Sequence, residues 1–134
     1  MNRKKSREYL LQLTYQMDIT GDTALETFEN FIGNEDISKE NIDLEYIKQG
    51  LIAIGEQKEK IDKAIEEQLV NWKLNRISKV NLAILRLAIN ELMFVNDIPE
   101  RVSINEAIEL CKKFSDNKSV SFINGVLDKV YKSI

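Results

Sequence analysis

The chain has 134 residues, of which 43% are hydrophobic and 31% are charged, and its formal net charge is −3. This balance is typical of a folded globular domain and excludes a disordered chain, while one proline and five glycines favour helices over a turn-rich β fold. No histidine and a single cysteine, Cys111, exclude Ser-His-Asp and Cys-His catalytic arrangements, histidine metal sites and an internal disulfide.

Charge is distributed unevenly along the sequence. The first seven residues contain Arg3, Lys4, Lys5 and Arg7 and no acid, whereas residues 18–45 contain nine carboxylates and one lysine. This distribution is compatible with one basic binding surface on an otherwise acidic protein. From composition alone, a solvated basic N-terminus explains the same cluster equally well.

Two helices are predicted at the start of the chain. The first spans residues 3–18, has its basic residues in or just before the first turn, and ends near Gly21. The second opens with a capping box from Thr23 to Glu26 and ends near Gly33. The apolar stripes of these two helices contain Leu10, Leu11, Leu13, Tyr15, Met17, Leu25, Phe28, Phe31 and Ile32.

A third helical stretch is predicted from about residue 44 to residue 69. It follows a polar, acidic segment, residues 35–43, which is expected to be a loop. Lys58 interrupts the apolar stripe of this helix and two glycines weaken it, so a break near residues 56–60 stays open. A short connection, residues 71–75, leads to the next element.

The most hydrophobic stretch is Ile77–Val95, in which apolar residues occupy nearly every side of a helical wheel. Such a helix is either buried or spans a membrane. Its longest run without a charged or amide residue is four residues, far below the roughly 18–20 that spanning requires. We therefore predict a buried central helix. Its only central charge, Arg86, either pairs with a carboxylate, for which Glu106 and Asp128 are the candidates, or emerges at a partner or RNA surface.

Two more helices complete the predicted fold. Pro99 ends the central region, and a second capping box, Ser103–Glu106, is expected to open the next helix. A polar turn, Ser115–Ser119, separates it from the last helix, about 118–132, in which Gly125 indicates a close approach of another helix. The residues expected to face inward are Ile104, Ala107, Ile108 and Cys111 on the first of these helices and Ile123, Val126, Leu127 and Val130 on the second.

Binding is a more plausible role for this chain than catalysis, because phosphate-cradling glycine loops are also absent from the sequence. The polar turn adds Lys112, Lys113 and Lys118 to the basic residues of the N-terminus, and Phe122 follows it. A basic segment with an exposed ring is a simple single-stranded RNA site, in which charge holds the backbone and the ring stacks on a base. The spacing leaves a second placement open for Phe122, at the boundary of the core.

The last third of the chain resembles a known family. Val102–Val130, VSINEAIELCKKFSDNKSVSFINGVLDKV, is similar to the C-terminal part of the NusB family of bacterial transcription antitermination factors, with the blocks INEAIEL and FINGVLDK. Ala83–Leu92, AILRLAINEL, resembles the preceding helix of that family, and Arg3–Tyr15 resembles its arginine-rich N-terminus. Residues 20–75 match the family mainly in pattern.

The resemblance implies an all-α fold: one NusB-like domain over residues 1–134, built from two small helical subdomains of about 1–70 and 71–134. It implies a non-catalytic, cytoplasmic antitermination factor without cofactor or metal. Its expected partners are single-stranded boxA RNA and NusE, a small-subunit ribosomal protein. Together they would join the RNA polymerase elongation complex with other Nus factors, notably on ribosomal RNA operons. No membrane is expected as a partner, and both a monomer and a homodimer stay open.

Residue roles are carried over from the family by position. The RNA-binding residues implied in this way are Arg3, Lys4, Lys5, Arg7, Lys118 and Phe122. Tyr15 falls near the NusE-binding face, and Arg86 is the second candidate for partner binding. Where some relatives have acids in the NusE-facing region, this chain has Asn75, Arg76, Lys79 and Asn81.

Two other functions compete with this interpretation. The first is a protein-interaction adapter without RNA binding, whose acidic residues 18–45 would meet a basic ribosomal protein. The second is a NusB-like RNA-binding domain of an RNA cytosine methyltransferase, although no cofactor-binding domain is present in this sequence.

Overall fold

The computed structural model describes residues 2–70 and 73–134. Within these two ranges it contains seven α-helices and two short 3₁₀ turns, and no strand. The all-α prediction is confirmed. The predicted connection at residues 71–75 begins with Asn71 and Trp72, which lie outside the described residues.

The helices form two compact units, of which the first ends at Glu56 and the second begins at Gln57. The expected boundary near residue 70 therefore lies too far along the chain, because the third helical stretch breaks at Gln57 into two helices. The helices are α1 (Arg3–Thr20), α2 (Ala24–Gly33), α3 (Leu44–Glu56), α4 (Lys58–Glu66), α5 (Lys79–Phe94), α6 (Glu100–Phe114) and α7 (Val120–Ser133), and the 3₁₀ turns are Leu74–Arg76 and Asn117–Ser119.

The first unit packs α1, α2 and α3 against one another. Local sequence signals set the ends of its helices: Gly21 ends α1 in the left-handed region with φ 77°, and the predicted capping box opens α2. In that box the Thr23 hydroxyl accepts from the Glu26 backbone N–H at 3.1 Å, and the Glu26 carboxylate accepts from the Thr23 N–H at 2.9 Å. The buried side chains of this unit include Leu10, Leu11, Leu13, Phe28, Phe31, Ile42, Ile47, Leu51 and Ile54.

Two expectations are wrong, one about the inward face of α2 and one about which glycine allows a close helix approach. Leu25 and Ile32 are 50% and 46% exposed, because α2 buries a stripe centred on Phe28 and Phe31 and the two residues lie beside it. The close helix approach occurs at Gly50 of α3 rather than at Gly125. A Cβ atom at Gly50 would lie 2.6 Å from Cδ2 of the buried Leu10, whereas a Cβ atom at Gly125 would meet nothing within 4 Å.

The second unit packs α4, α6 and α7 around α5. Every residue from Asn81 to Glu91 is buried, so α5 is the central helix that its composition predicts. The inward face of α7 is also as predicted, with Ile123, Leu127 and Val130 buried. Among the described residues no helix combines the length and apolarity that crossing a membrane requires.

Arg86 forms a bidentate ion pair with Asp62 of α4. Its Nε and Nη2 atoms each donate to one carboxylate oxygen at 2.9 Å, and the two side chains are 6% and 16% exposed. The predicted ion pair is thus confirmed, but both candidate partners are wrong. Asp128 instead faces solvent and pairs with Lys132 at 3.0 Å. The helix that supplies the true partner packs directly on α5.

The second predicted capping box is wrong, because α6 begins at Glu100 with Pro99 at the N-cap. The preset φ of proline suits a helix start, so the helix opens one turn earlier than the Ser103–Glu106 pattern indicates. Ser103 lies inside the helix, where its hydroxyl donates to the buried Glu91 carboxylate at 2.8 Å. The buried face of α6 consists of Ser103, Ala107, Leu110 and Cys111, and Ile104 and Ile108 are only partly covered.

Removing the Asp62 carboxylate tests the ion pair. Asp62→Ala removes the bidentate carboxylate contact of the buried Arg86 guanidinium, so we expect the free energy of unfolding to fall by about 3 kcal/mol in urea denaturation. Asp128→Ala is the control: it removes the carboxylate of the exposed pair with Lys132 and should change the free energy of unfolding by less than about 1 kcal/mol. Equal effects of the two substitutions would show that Arg86 does not depend on Asp62.

Candidate nucleic-acid interface

The first turn of α1 presents three of the four predicted basic residues to solvent. Arg3, Lys4 and Lys5 are exposed, and the turn contains no acid. Asn2 caps the helix, because its side-chain oxygen accepts from the Lys5 backbone N–H at 3.0 Å. The helix dipole is unfavourable for cations at this end, so the cluster does not stabilise α1 and its charge is available to an anion.

Arg3 is held in place by the segment that leads into α3. Its Nη2 atom lies 3.2 Å from the Asp43 carboxylate, and its guanidinium lies 4.2 Å from the centre of the Tyr46 ring. Asp43 also caps α3 by accepting from the Tyr46 backbone N–H, and its own N–H donates to the Ser6 hydroxyl at 2.8 Å. The first turn of α1 is thus bound to the rest of the first unit.

Arg7 differs from the other three basic residues. Its side chain is buried, with 4% exposed, and its guanidinium lies 5.9 Å from the Tyr46 ring. A guanidinium at this depth cannot meet a phosphate, so the structure does not fit the predicted direct contact between Arg7 and RNA. A signal for this difference is present in the sequence, because Arg7 stands three and four residues before Leu10 and Leu11 and so shares their helix face. The prediction groups Arg7 with the other three basic residues by its charge and does not use this spacing.

The second unit contributes the turn between α6 and α7. Lys112, Lys113 and Lys118 are exposed around it, and Phe122, in the first turn of α7, is half-buried. Phe122 is partly exposed, which lies between the two placements that its spacing left open. This group of residues belongs to the second unit, whereas the basic group of α1 belongs to the first.

Hydrogen bonds order this turn. Asp116 Oδ1 accepts from both the hydroxyl and the backbone N–H of Ser119, each at 2.8 Å. These two bonds, the hydroxyl first, hold the pKa of the Asp116 carboxyl below its ordinary value of 3.8, and the charge of Lys118 acts in the same direction. Asn81 of α5, which sequence reasoning did not single out for this site, contacts Ser115 and Ser119.

The two candidates for partner binding have opposite environments. Tyr15 of α1 is 39% exposed, so its ring can contact another molecule. Arg86 is enclosed with Asp62 inside the second unit and cannot reach a partner while that ion pair is intact.

Among the described residues, no group of three or more Cys, Asp or Glu side chains is arranged to hold a metal ion. The exposed cations and rings of these surfaces favour charge attraction and ring contact.

Comparison with known proteins agrees with these features. The model of the NusB family matches residues 4–132. The chain belongs to the NusB family. A relative from Clostridium perfringens (strain SM101 / Type A), named transcription antitermination protein NusB, is 72% identical over 134 residues, which is 100% of this chain and 99% of that protein. A protein of the same name from Clostridium botulinum (strain Alaska E43 / Type E3) is 53% identical over 98% of this chain and 99% of its own length.

Solved NusB structures share the fold. The structure of T. maritima NusB has a TM-score of 0.85 and 35% identity, with 98% of this chain and 92% of that chain covered. A chain in the crystal structure of the antitermination factors NusB and NusE in complex with dsRNA has a TM-score of 0.85 and 28% identity, with 98% and 96% covered. NusB proteins are antitermination factors and not enzymes, which confirms the expected absence of catalysis.

An acid titration tests the order of the turn. Because the pKa of Asp116 is lowered on folding, its contribution to the turn is present above the ordinary value of 3.8 and is lost as the pH falls through the lowered value. We expect the carboxyl carbon of Asp116 to titrate in NMR spectra below pH 3.8. Ser119→Ala should raise this midpoint, whereas the exposed Ser121→Ala should not. An unchanged midpoint in Ser119→Ala would contradict the assigned hydrogen bonds.

Proposed function

We propose that the chain is an antitermination factor that binds boxA-type single-stranded RNA together with NusE. In this proposal the pair joins the RNA polymerase elongation complex with other Nus factors in the cytoplasm, notably on ribosomal RNA operons. The observation that carries the proposal is the acid-free first turn of α1, where Arg3, Lys4 and Lys5 are all exposed in a member of the NusB family.

The basic residues of α1 suit the backbone of RNA. Lys4 and Lys5 offer compact ammonium charges, which attract phosphates without reading sequence. Arg3 adds a planar fork that binds phosphate in a bidentate way, and its stacking on Tyr46 limits the orientations that it samples. This surface supports affinity and strong salt dependence.

The turn of the second unit suits a base and a further phosphate. Phe122 is partly exposed, and accessible aromatic rings stack on unpaired bases. Lys118 lies in the turn immediately before α7 and is exposed. We assign the ring to base contact and the lysine to the backbone.

We assign Tyr15 to the NusE contact. Its ring is exposed on α1, and tyrosine is enriched at protein interfaces because it buries a large apolar area at a low entropic cost. The carboxylates of residues 18–45 provide an acidic surrounding for a basic ribosomal protein. Arg86 is not assigned to this contact, because it is buried with Asp62.

A titration of fluorescent boxA RNA, with and without NusE and at two salt concentrations, tests the proposal. We expect tighter binding of boxA RNA than of a scrambled strand, and weaker binding at the higher salt concentration. The double variant Lys4→Ala, Lys5→Ala should bind at least about tenfold more weakly, because charge-assisted contacts are lost. Its salt slope should fall by about 0.7 for each phosphate contact removed.

A charge-matched variant and two further ligands complete this experiment. Lys58→Ala, Lys60→Ala removes two exposed lysines from α4 and should leave the affinity nearly unchanged. Equal affinity for boxA and scrambled RNA, with and without NusE, would overturn boxA specificity. Stable NusE capture without RNA retention would select the adapter function. Preference for a duplex of the same sequence would contradict recognition of a single strand.

Asp43 competes with RNA for Arg3 in this proposal, which leads to a separate prediction. Asp43→Asn removes the charge but keeps a good N-cap for α3. Since an exposed ion pair contributes about 0.2–1 kcal/mol, RNA affinity at low salt should rise by up to about fivefold. Asp128→Asn, which separates the exposed Lys132 from its carboxylate, serves as the control. A lower affinity in Asp43→Asn would show that Asp43 orients Arg3 and does not compete for it.

A further inference from the structure

One side-chain amide holds both ends of the turn between α6 and α7. Asn81 lies in the first turn of α5 and is 8% exposed. Its Oδ1 atom accepts from the Ser115 hydroxyl at 2.7 Å, and its Nδ2 atom donates to the Ser119 hydroxyl at 2.9 Å. The donor and the acceptor of the amide are thus both used on the residues that flank the turn.

The hydrogen bonds around Ser119 have a consistent direction. A hydroxyl has a single hydrogen, and the hydrogen of Ser119 is donated to Asp116 Oδ1 at 2.8 Å. The Ser119 hydroxyl can donate to Asp116 because it accepts a hydrogen bond from the Asn81 Nδ2 group and does not use its own hydrogen there. Asn81 is itself anchored, since its backbone N–H donates to the hydroxyl of Ser78, the N-cap of α5, at 3.2 Å. The central helix is therefore connected to the turn by an unbroken series of hydrogen bonds.

The position of Ser119 determines where two proposed RNA contacts lie. Lys118 precedes it directly, and α7 begins at the next residue, Val120, with Phe122 in its first turn. A shift of Ser119 moves both the lysine and the start of the helix that carries the ring. Holding the turn before RNA arrives lowers the entropy lost on binding.

We infer that Asn81 is a positioning residue for RNA binding, which holds Lys118 and Phe122 in their binding arrangement by joining α5 to Ser115 and Ser119. This inference rests on the proposed function. Making both hydrogen bonds requires asparagine at this position, because an aspartate carboxylate offers only acceptors and an alanine side chain offers neither a donor nor an acceptor. The amide itself is enclosed, so it acts through the turn and not by touching RNA.

A double-mutant cycle on RNA affinity tests the inference. Asn81→Ala should weaken RNA binding by about fivefold, because the turn is no longer ordered in advance. Lys118→Ala should weaken binding in the wild-type background but have little further effect in the Asn81→Ala background. Lys5→Ala, in the first unit, is the control and should have the same effect in both backgrounds. Ser115→Ala should reproduce part of the loss and add little to Asn81→Ala.

These measurements separate positioning from a loss of stability. Urea denaturation and circular dichroism must show that each variant is folded at the temperature of the titration, and Ser115→Ala takes the place of Asn81→Ala if the latter unfolds. Unchanged RNA affinity in a folded Asn81→Ala variant overturns the inference. Equal effects of Lys118→Ala in both backgrounds also overturn it.

Hydrogen exchange distinguishes this inference from the proposed function. The amide of Ser119, which donates to Asp116, should exchange faster in Asn81→Ala than in the wild type, while the amide of Ser6 in α1 should not change. If the wild-type chain binds no RNA, the proposed function and the RNA role of Asn81 both fail. If the wild type binds RNA but Asn81→Ala leaves affinity and exchange unchanged, only the positioning role fails.

Discussion

The second unit depends on the neutralisation of one charge inside its central helix. Every residue of α5 from Asn81 to Glu91 is buried, and Arg86 lies in the middle of that range. An unpaired guanidinium there would oppose the packing of the helices around α5, because burying a charge without a partner is strongly unfavourable. The bidentate contact with Asp62 removes this obstacle and also specifies how α4 lies on α5, since two parallel hydrogen bonds tolerate little rotation.

The same helix supports the candidate RNA surface of the second unit. Asn81, at the N-terminal end of the buried range, uses its amide on the two serines that flank the turn after α6. The buried middle of α5 fixes the position of this helix in the second unit. The hydrogen bonds of Asn81 in its first turn then hold the turn that carries Lys118 and precedes Phe122. A site whose contacts are ordered before binding loses less entropy than a flexible loop of the same charge.

The first unit achieves order at its basic end in a different way. Arg3 lies between the Asp43 carboxylate and the Tyr46 ring, whereas Lys4 and Lys5 are exposed in the same turn of α1. One cation is therefore oriented and partly neutralised, and the other two are exposed point charges. This combination favours attraction of RNA at long range by the lysines and a directed contact by the arginine.

The sequence by itself determined the helical class, most helix ends and the burial of α5, because these depend on local spacing and on side chains that lie a few residues apart. The capping box at Thr23 and the inward face of α7 follow from the same local rules. Only the tertiary structure decided that Arg86 pairs with Asp62, that Ser103 bonds to Glu91 and that Asn81 holds the turn. Each of these contacts joins residues that are distant in sequence, and no local pattern encodes which of them meet.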